Sequence, residues 1–96
     1  MYKFEWDENK NRINKTKHGI AFENIWTVFL DENAIVWHDL YHSTMFENRY
    51  IIIGETNGGM CVTVVFVNKY TDVIRIINAR KPTRKEKETY EKRKLN

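Results

Sequence analysis

The chain has 96 residues, 42% hydrophobic and 14% aromatic, which is enough for one compact core and too few for two. A formal net charge of +3 hides an uneven distribution: residues 80–96 hold eight Lys/Arg against three Glu, whereas residues 1–79 hold eight Lys/Arg against ten Asp/Glu. A lone cysteine, Cys61, excludes an intramolecular disulfide framework, and no N-terminal apolar stretch reads as a signal peptide or membrane span, so residues 1–96 read as one soluble, cytoplasmic domain.

After a short apolar opening, Tyr2 to Trp6, Asp7 is placed to cap a helix running to about His18, with Gly19 as its stop and Glu8 and Arg12 spaced for an i,i+4 pair. Ile13 is the only apolar residue inside it. Phe22, Ile25, Trp26 and Phe29 fall at i, i+3, i+4 and i+7, the stripe of a second helix that packs on a sheet. From Ala34 the period shortens to that of strands. AIVW is the first of these, and HDLYHSTMFEN is a polar connection. RYIIIGET and MCVTVVFVN follow, joined by the hairpin signal Asn57-Gly58-Gly59, and a further turn near Lys69 to Asp72 leads into DVIRIINA. Thr83 and Glu86 then fit a capping box that opens a last helix, whose side chains are nearly all charged and whose expected pairs include Glu88 with Lys92. These elements predict an α+β domain: an antiparallel sheet of about four strands, two helices before it and one after.

The junction IRIINARKPTRKE sets Arg75 among isoleucines and adds Arg80, Lys81, Arg84 and Lys85 where the strand stops, an arrangement suited to an anion. The sequence FEWDENKNRINKTKHGIAFENIWTVF, followed by ENRYIIIGE, VTVVFV and IRIINARKPTRKEKETYE, resembles the BrnT family of bacterial toxins over most of its length. The resemblance implies a RelE-like fold and a ribonuclease of a type II toxin–antitoxin pair that inhibits translation and growth. It implies a BrnA-like antitoxin with a ribbon-helix-helix DNA-binding domain, so that DNA is reached only through the antitoxin complex; no membrane partner is expected, since the sequence shows no apolar span. Two positions depart from the family pattern: Asn78 stands where a serine is expected, and Pro82 where a small residue other than proline is expected.

For an RNA substrate, the chain offers the groups of metal-free cleavage, in which the ribose 2′-hydroxyl attacks its own phosphate. No metal or cofactor is called for. His38 and His42 have the i,i+4 spacing of a helical zinc pair, but in an extended segment they would lie ~13 Å apart. Cys61 reads as a buried core residue rather than a nucleophile. Arg75 is the first candidate for phosphate, against an internal ion pair with Glu47, Glu55 or another strand carboxylate. Arg80 is the second, and the two converge only if the strand bulges or ends near Asn78. Arg49, at the start of the neighbouring strand, has a similar claim.

For proton transfer, His18 is one candidate, sharing a helical face with Lys10, Asn14 and Lys17, although its place before Gly19 also suits a helix-terminal cap. Glu86 and Tyr90, at i,i+4, are the other pair. Lys10, Lys17, Arg49, Lys81, Arg84 and Lys85 are the expected RNA contacts. An antitoxin segment is expected across the groove between the first helix, the sheet edge and Arg80 to Lys94, with exposed members of Trp6, Trp37, Tyr41 and Phe46 as candidate anchors, against a place in the core for each. A non-catalytic binding module, or a cleavage-inactive subunit of a repressor complex, is the alternative to an active ribonuclease.

Overall fold

The computed structural model describes residues 2–70 and 72–96. The chain runs β1 (Lys3–Trp6), α1 (Glu8–His18), two 3-10 turns (Phe22–Asn24 and Trp26–Leu30), β2 (Ile35–His38), β3 (Arg49–Glu55), β4 (Cys61–Tyr70), β5 (Val73–Arg80) and α2 (Arg84–Leu95). The strands form one sheet in the order β1-β5-β4-β3-β2. All neighbours are antiparallel except β1, which lies parallel to β5 with Phe4 opposite Ile74 and Trp6 opposite Ile76. The sheet is therefore mixed and five-stranded, not antiparallel with about four strands. The difference is β1, whose partner is some 70 residues away, so no hairpin signal announces it. Of the turn expected over Lys69 to Asp72, Thr71 lies outside the described residues. The Asn57-Gly58-Gly59 turn is present, with Gly59 at φ 85° in the left-handed region.

α1 starts and stops as its end residues dictate. The Asp7 carboxylate accepts from the Lys10 amide at 3.1 Å, and Gly19, at φ 69°, closes the helix through its amide to the Lys15 carbonyl. The buried face of α1 is polar, however. Ile13 is 59% exposed, while Asn11 and Asn14 are inside. Asn11 accepts from the Phe22 amide at 2.9 Å and donates to Glu23, which ties the helix to the first 3-10 turn. Glu8 takes the Trp6 indole and Arg12 donates to Asn9, so the expected Glu8–Arg12 pair does not form.

The second N-terminal helix is instead the two 3-10 turns. Ile25, at φ −121° and ψ −7°, interrupts them. Phe22, Ile25 and Val28, three residues apart, are fully buried, which is the period of a 3-10 helix; Trp26 and Phe29 remain partly exposed. These turns pack on one face of the sheet against Ile52, Val64, Ile74 and Ile76.

α2 covers one end of the opposite face. Its capping box forms as the sequence predicts, with Thr83 accepting from the Glu86 amide and Glu86 from the Thr83 amide. A single side chain, Tyr90, is buried from this helix; its hydroxyl donates to Asp31 at 2.6 Å. Asp31 also accepts from the Glu55 amide at 2.8 Å and stands over Gly54, where a Cβ would lie 2.8 Å from the carboxylate. Lys94 reaches Glu55 at 2.6 Å, and Arg84, rather than Lys92, pairs with Glu88. Among the described residues, the remainder of this sheet face carries no helix.

Candidate active site

Position in the site is decided by an irregularity in β5. Ile76 pairs with Phe66 and Asn78 with Val65, leaving Ile77 as an extra residue and a bulge in the strand. Residues paired across neighbouring strands share a face. Arg49, Val67 and Arg75 form one row, and Ile53, Thr63 and Arg80 another, so the bulge returns Arg75 and Arg80 to the same face. Without it, strict alternation would bury one of them.

Asn14 of α1 holds the bulge. Its amide nitrogen donates to the carbonyls of Ile20 and Ala79 at 2.9 and 2.8 Å, and its oxygen accepts from the Ala79 amide at 3.1 Å and the Asn78 side chain at 3.2 Å. Two clefts meet at Ile77 and Asn78. On one side stand Lys10, Lys17 and His18 of α1. On the other, Arg49, Arg80, Asp39 and His42 surround the exposed edges of Ile51 and Val65. The face of α1 read from the sequence is thus real, and the structure joins it to Arg80 and Arg49 through Asn78.

The arginines are already paired. Arg80 donates both terminal nitrogens to Glu86, at 2.7 and 3.0 Å, and Thr63 donates to the same carboxylate at 3.1 Å. Burial alone would raise the Glu86 carboxyl, but Arg80, the Thr83 amide and Thr63 hold it below the usual value, and Glu86 in turn pushes the Arg80 guanidinium further toward its charged form. Arg75 donates to Glu5 of β1 at 2.6 Å, a row away from Asn78, so the internal ion pair forms, with another strand carboxylate in place of Glu47 or Glu55. Glu47 instead pairs with Arg49 at 3.1 Å.

Tyr90 lies apart from the cleft, only 1% exposed; burial and then the Asp31 carboxylate push its phenol well above the usual value, so it stays a protonated donor to Asp31. Lys81, Arg84 and Lys85 are exposed where α2 begins.

Two residues of the cleft escape a reading of the sequence. Asp39 is 7% exposed, and its Oδ2 lies 2.8 Å from His42 Nδ1. Burial would raise the Asp39 carboxyl, yet the His42 ring and amide hold it below the usual value. The spacing Asp-x-x-His within a polar turn carries that signal, but the i,i+4 pair of histidines draws attention first. Among the described residues, no three His, Cys, Asp or Glu side chains group as metal ligands. Cys61 is half-buried, and burial pushes its thiol up.

A family model described as the ribonuclease toxin BrnT of a type II toxin–antitoxin system matches residues 6–86. The chain belongs to the BrnT family. The crystal structure of the Brucella abortus ribonuclease toxin BrnT is similar, with 28% sequence identity, a TM-score of 0.67, and coverage of 88% of this chain and all of that one. No curated protein matches the chain. Membership makes it a toxin of the type II class, whose family is described as ribonuclease and whose system includes an antitoxin. Among the described residues, no helix is long and apolar enough to cross a membrane.

Proposed function

We propose that this BrnT-family chain is a metal-independent endoribonuclease that cuts RNA at the β5 bulge and thereby inhibits translation and growth. The observation that carries the reading is the meeting, at Asn78, of Arg49 and Arg80 from the uncovered sheet face with Lys10, Lys17 and His18 from α1. Arg80 holds the scissile phosphate with the N–H groups that Glu86 does not use, and Arg49 supports the second oxygen. His18 moves a proton at the reacting centre. Lys10 and Lys17 hold the strand on one side, and Lys81, Arg84 and Lys85 guide it along the start of α2 on the other. Arg75, Glu86 and Tyr90, engaged by Glu5, Arg80 and Asp31, act as supports that fix the sheet edge and α2.

The reaction is attack of the ribose 2′-hydroxyl on its own phosphate, for which cations and proton-transfer groups suffice. In the cytoplasm, a BrnA-like ribbon-helix-helix antitoxin neutralises the toxin by covering these cations, and DNA is contacted through that complex alone. The exposed Tyr41 and Phe46 offer it apolar anchors.

Induced expression tests the reading. The parent protein arrests growth and co-expressed antitoxin restores it. Arg80→Ala and Arg49→Ala lower cleavage by ~10²-fold or more if each contacts the transition state. Parent-like toxicity and cleavage in both variants, with parent-like folding, would remove the cleft from the mechanism.

A further inference from the structure

Residues 39–48, between β2 and β3, form a loop held by its own polar groups. The Ser43 hydroxyl donates to the Asp39 carbonyl at 2.6 Å, and the Arg49 amide donates to that hydroxyl at 2.9 Å, which ties the loop to the start of β3. Asp39 is thereby fixed beneath His42, with its second carboxylate oxygen 3.3 Å from the His42 amide. An ionised carboxylate only accepts hydrogen bonds, so the ring proton of neutral His42 sits on Nδ1 and Nε2 keeps its lone pair. His42 keeps two-thirds of its side chain exposed, so that lone pair is accessible from solvent. Among the described residues, the charged groups that line the same cleft as His42 are Asp39 on its own loop, Arg49 from β3 and Arg80 from β5, and the Tyr41 ring lies beside it.

We propose that His42 is the base that takes the proton from the ribose 2′-hydroxyl, with Asp39 as its positioning residue; this rests on the ribonuclease reading above. His42 Nε2 accepts the proton as the O2′–P bond forms. The P–O5′ bond breaks, and the departing 5′-oxygen receives a proton from the His18 imidazolium on the other flank of the bulge. The products are a 2′,3′-cyclic phosphate and a 5′-hydroxyl, and exchange with water returns both histidines to their starting forms. Asp39 contributes by fixing the tautomer and by stabilising the imidazolium as it forms, as a buried carboxylate does for a catalytic histidine in other hydrolases. Arg49 and Arg80 keep the phosphate between the two rings.

The test compares two RNAs that carry the parent's mapped cut site, one natural and one with sulfur in place of the scissile 5′-oxygen. Sulfur leaves as a thiolate and needs no proton. His42→Gln is expected to lose ~10²–10⁴-fold in cleavage of both RNAs, because each still requires a base. His18→Gln is expected to fail on the natural RNA and to recover on the sulfur RNA. Asp39→Asn keeps an acceptor for the His42 amide; its smaller loss is expected to come with an acid limb of kcat/KM moved to lower pH, because the imidazolium has lost its carboxylate.

His42→Gln cleaving like the parent overturns the proposal, and so does its recovery on the sulfur RNA, which would make it the acid. If His42→Gln does not keep the parent's circular dichroism, Asp39→Asn decides: an unmoved acid limb overturns the proposal. A parent that cleaves no RNA, and so yields no cut site to map, overturns the ribonuclease reading and this proposal together.

Discussion

Replacing Asn14 with alanine removes the one side chain that ties α1 to the β5 bulge. Three buried backbone groups lose their partner: the amide and carbonyl of Ala79 and the carbonyl of Ile20. A buried group left unsatisfied costs ~1–3 kcal/mol, and the low end of that range applies here because the space vacated by Asn14 opens onto the cleft of Lys10, Lys17 and His18, from which water can enter. Three such groups give about 3 kcal/mol, from which the better helix propensity of alanine returns ~0.5 kcal/mol. The net loss of ~2.5 kcal/mol corresponds to a fall in Tm of ~10–20 °C for a domain of this size.

The comparison is Ile13→Ser, one residue away on the same helix. Ile13 is mostly exposed, so its loss should stay within ~0.5 kcal/mol. Urea unfolding followed by far-ultraviolet circular dichroism measures both. An Asn14→Ala midpoint equal to the parent's, or a larger loss from Ile13→Ser, would refute a helix held by its amide side chains.

Tyr90→Phe should lose ~0.5–1.5 kcal/mol through its missing bond to Asp31, and hydrogen exchange should speed up across α2, since no other side chain of that helix is buried. Gly54→Ala should destabilise further, because the new methyl meets Asp31 at 2.8 Å and Val28 at 3.0 Å; unchanged stability there would show that Asp31 can move aside. Glu86 and Asp31 both titrate below their ordinary values of 4.5 and 3.8, so their contribution is complete above those values and fades as pH falls through the folded-state values. Urea midpoints should therefore drop as pH falls below 4.5, and further below 3.8, and Glu86→Gln should flatten the upper part of that slope.

What the sequence made legible is what local chemistry controls. Asp7, Gly19, Thr83 and Glu86 mark both helices because their side chains or backbone act within one turn. Glycines 58 and 59 mark the hairpin for the same reason. The face shared by Lys10, Asn14, Lys17 and His18 follows from helical geometry alone. The strand Lys3–Trp6 was hidden because its pairing with Val73–Ile76 is parallel and remote.

The stripe Phe22, Ile25, Trp26 and Phe29 suggested an α-helix, yet Phe22, Ile25 and Val28 fit the tighter period that the chain adopts. The bulge at Ile77 is set by Asn14, 64 residues from Asn78, so alternation along β5 could not reveal that Arg75 and Arg80 share a face. A charge among isoleucines signalled a partner, but the choice of Glu5 depends on β1 again. His42 and Asp39 lie three residues apart, and their pairing depends on a turn that Ser43 closes from within.

Cleavage of a defined RNA by the purified protein in excess chelator, with ribosomes present in a parallel reaction, tests the ribonuclease reading most directly. The products predicted are fragments ending in 2′,3′-cyclic phosphate or its hydrolysis product, paired with 5′-hydroxyl ends, and their formation should fall with Arg80→Ala in both reactions. Cleavage of the ribosome-free RNA only after a divalent metal is added, or fragments with 3′-hydroxyl and 5′-phosphate ends in either reaction, would contradict attack by the 2′-hydroxyl at the β5 bulge.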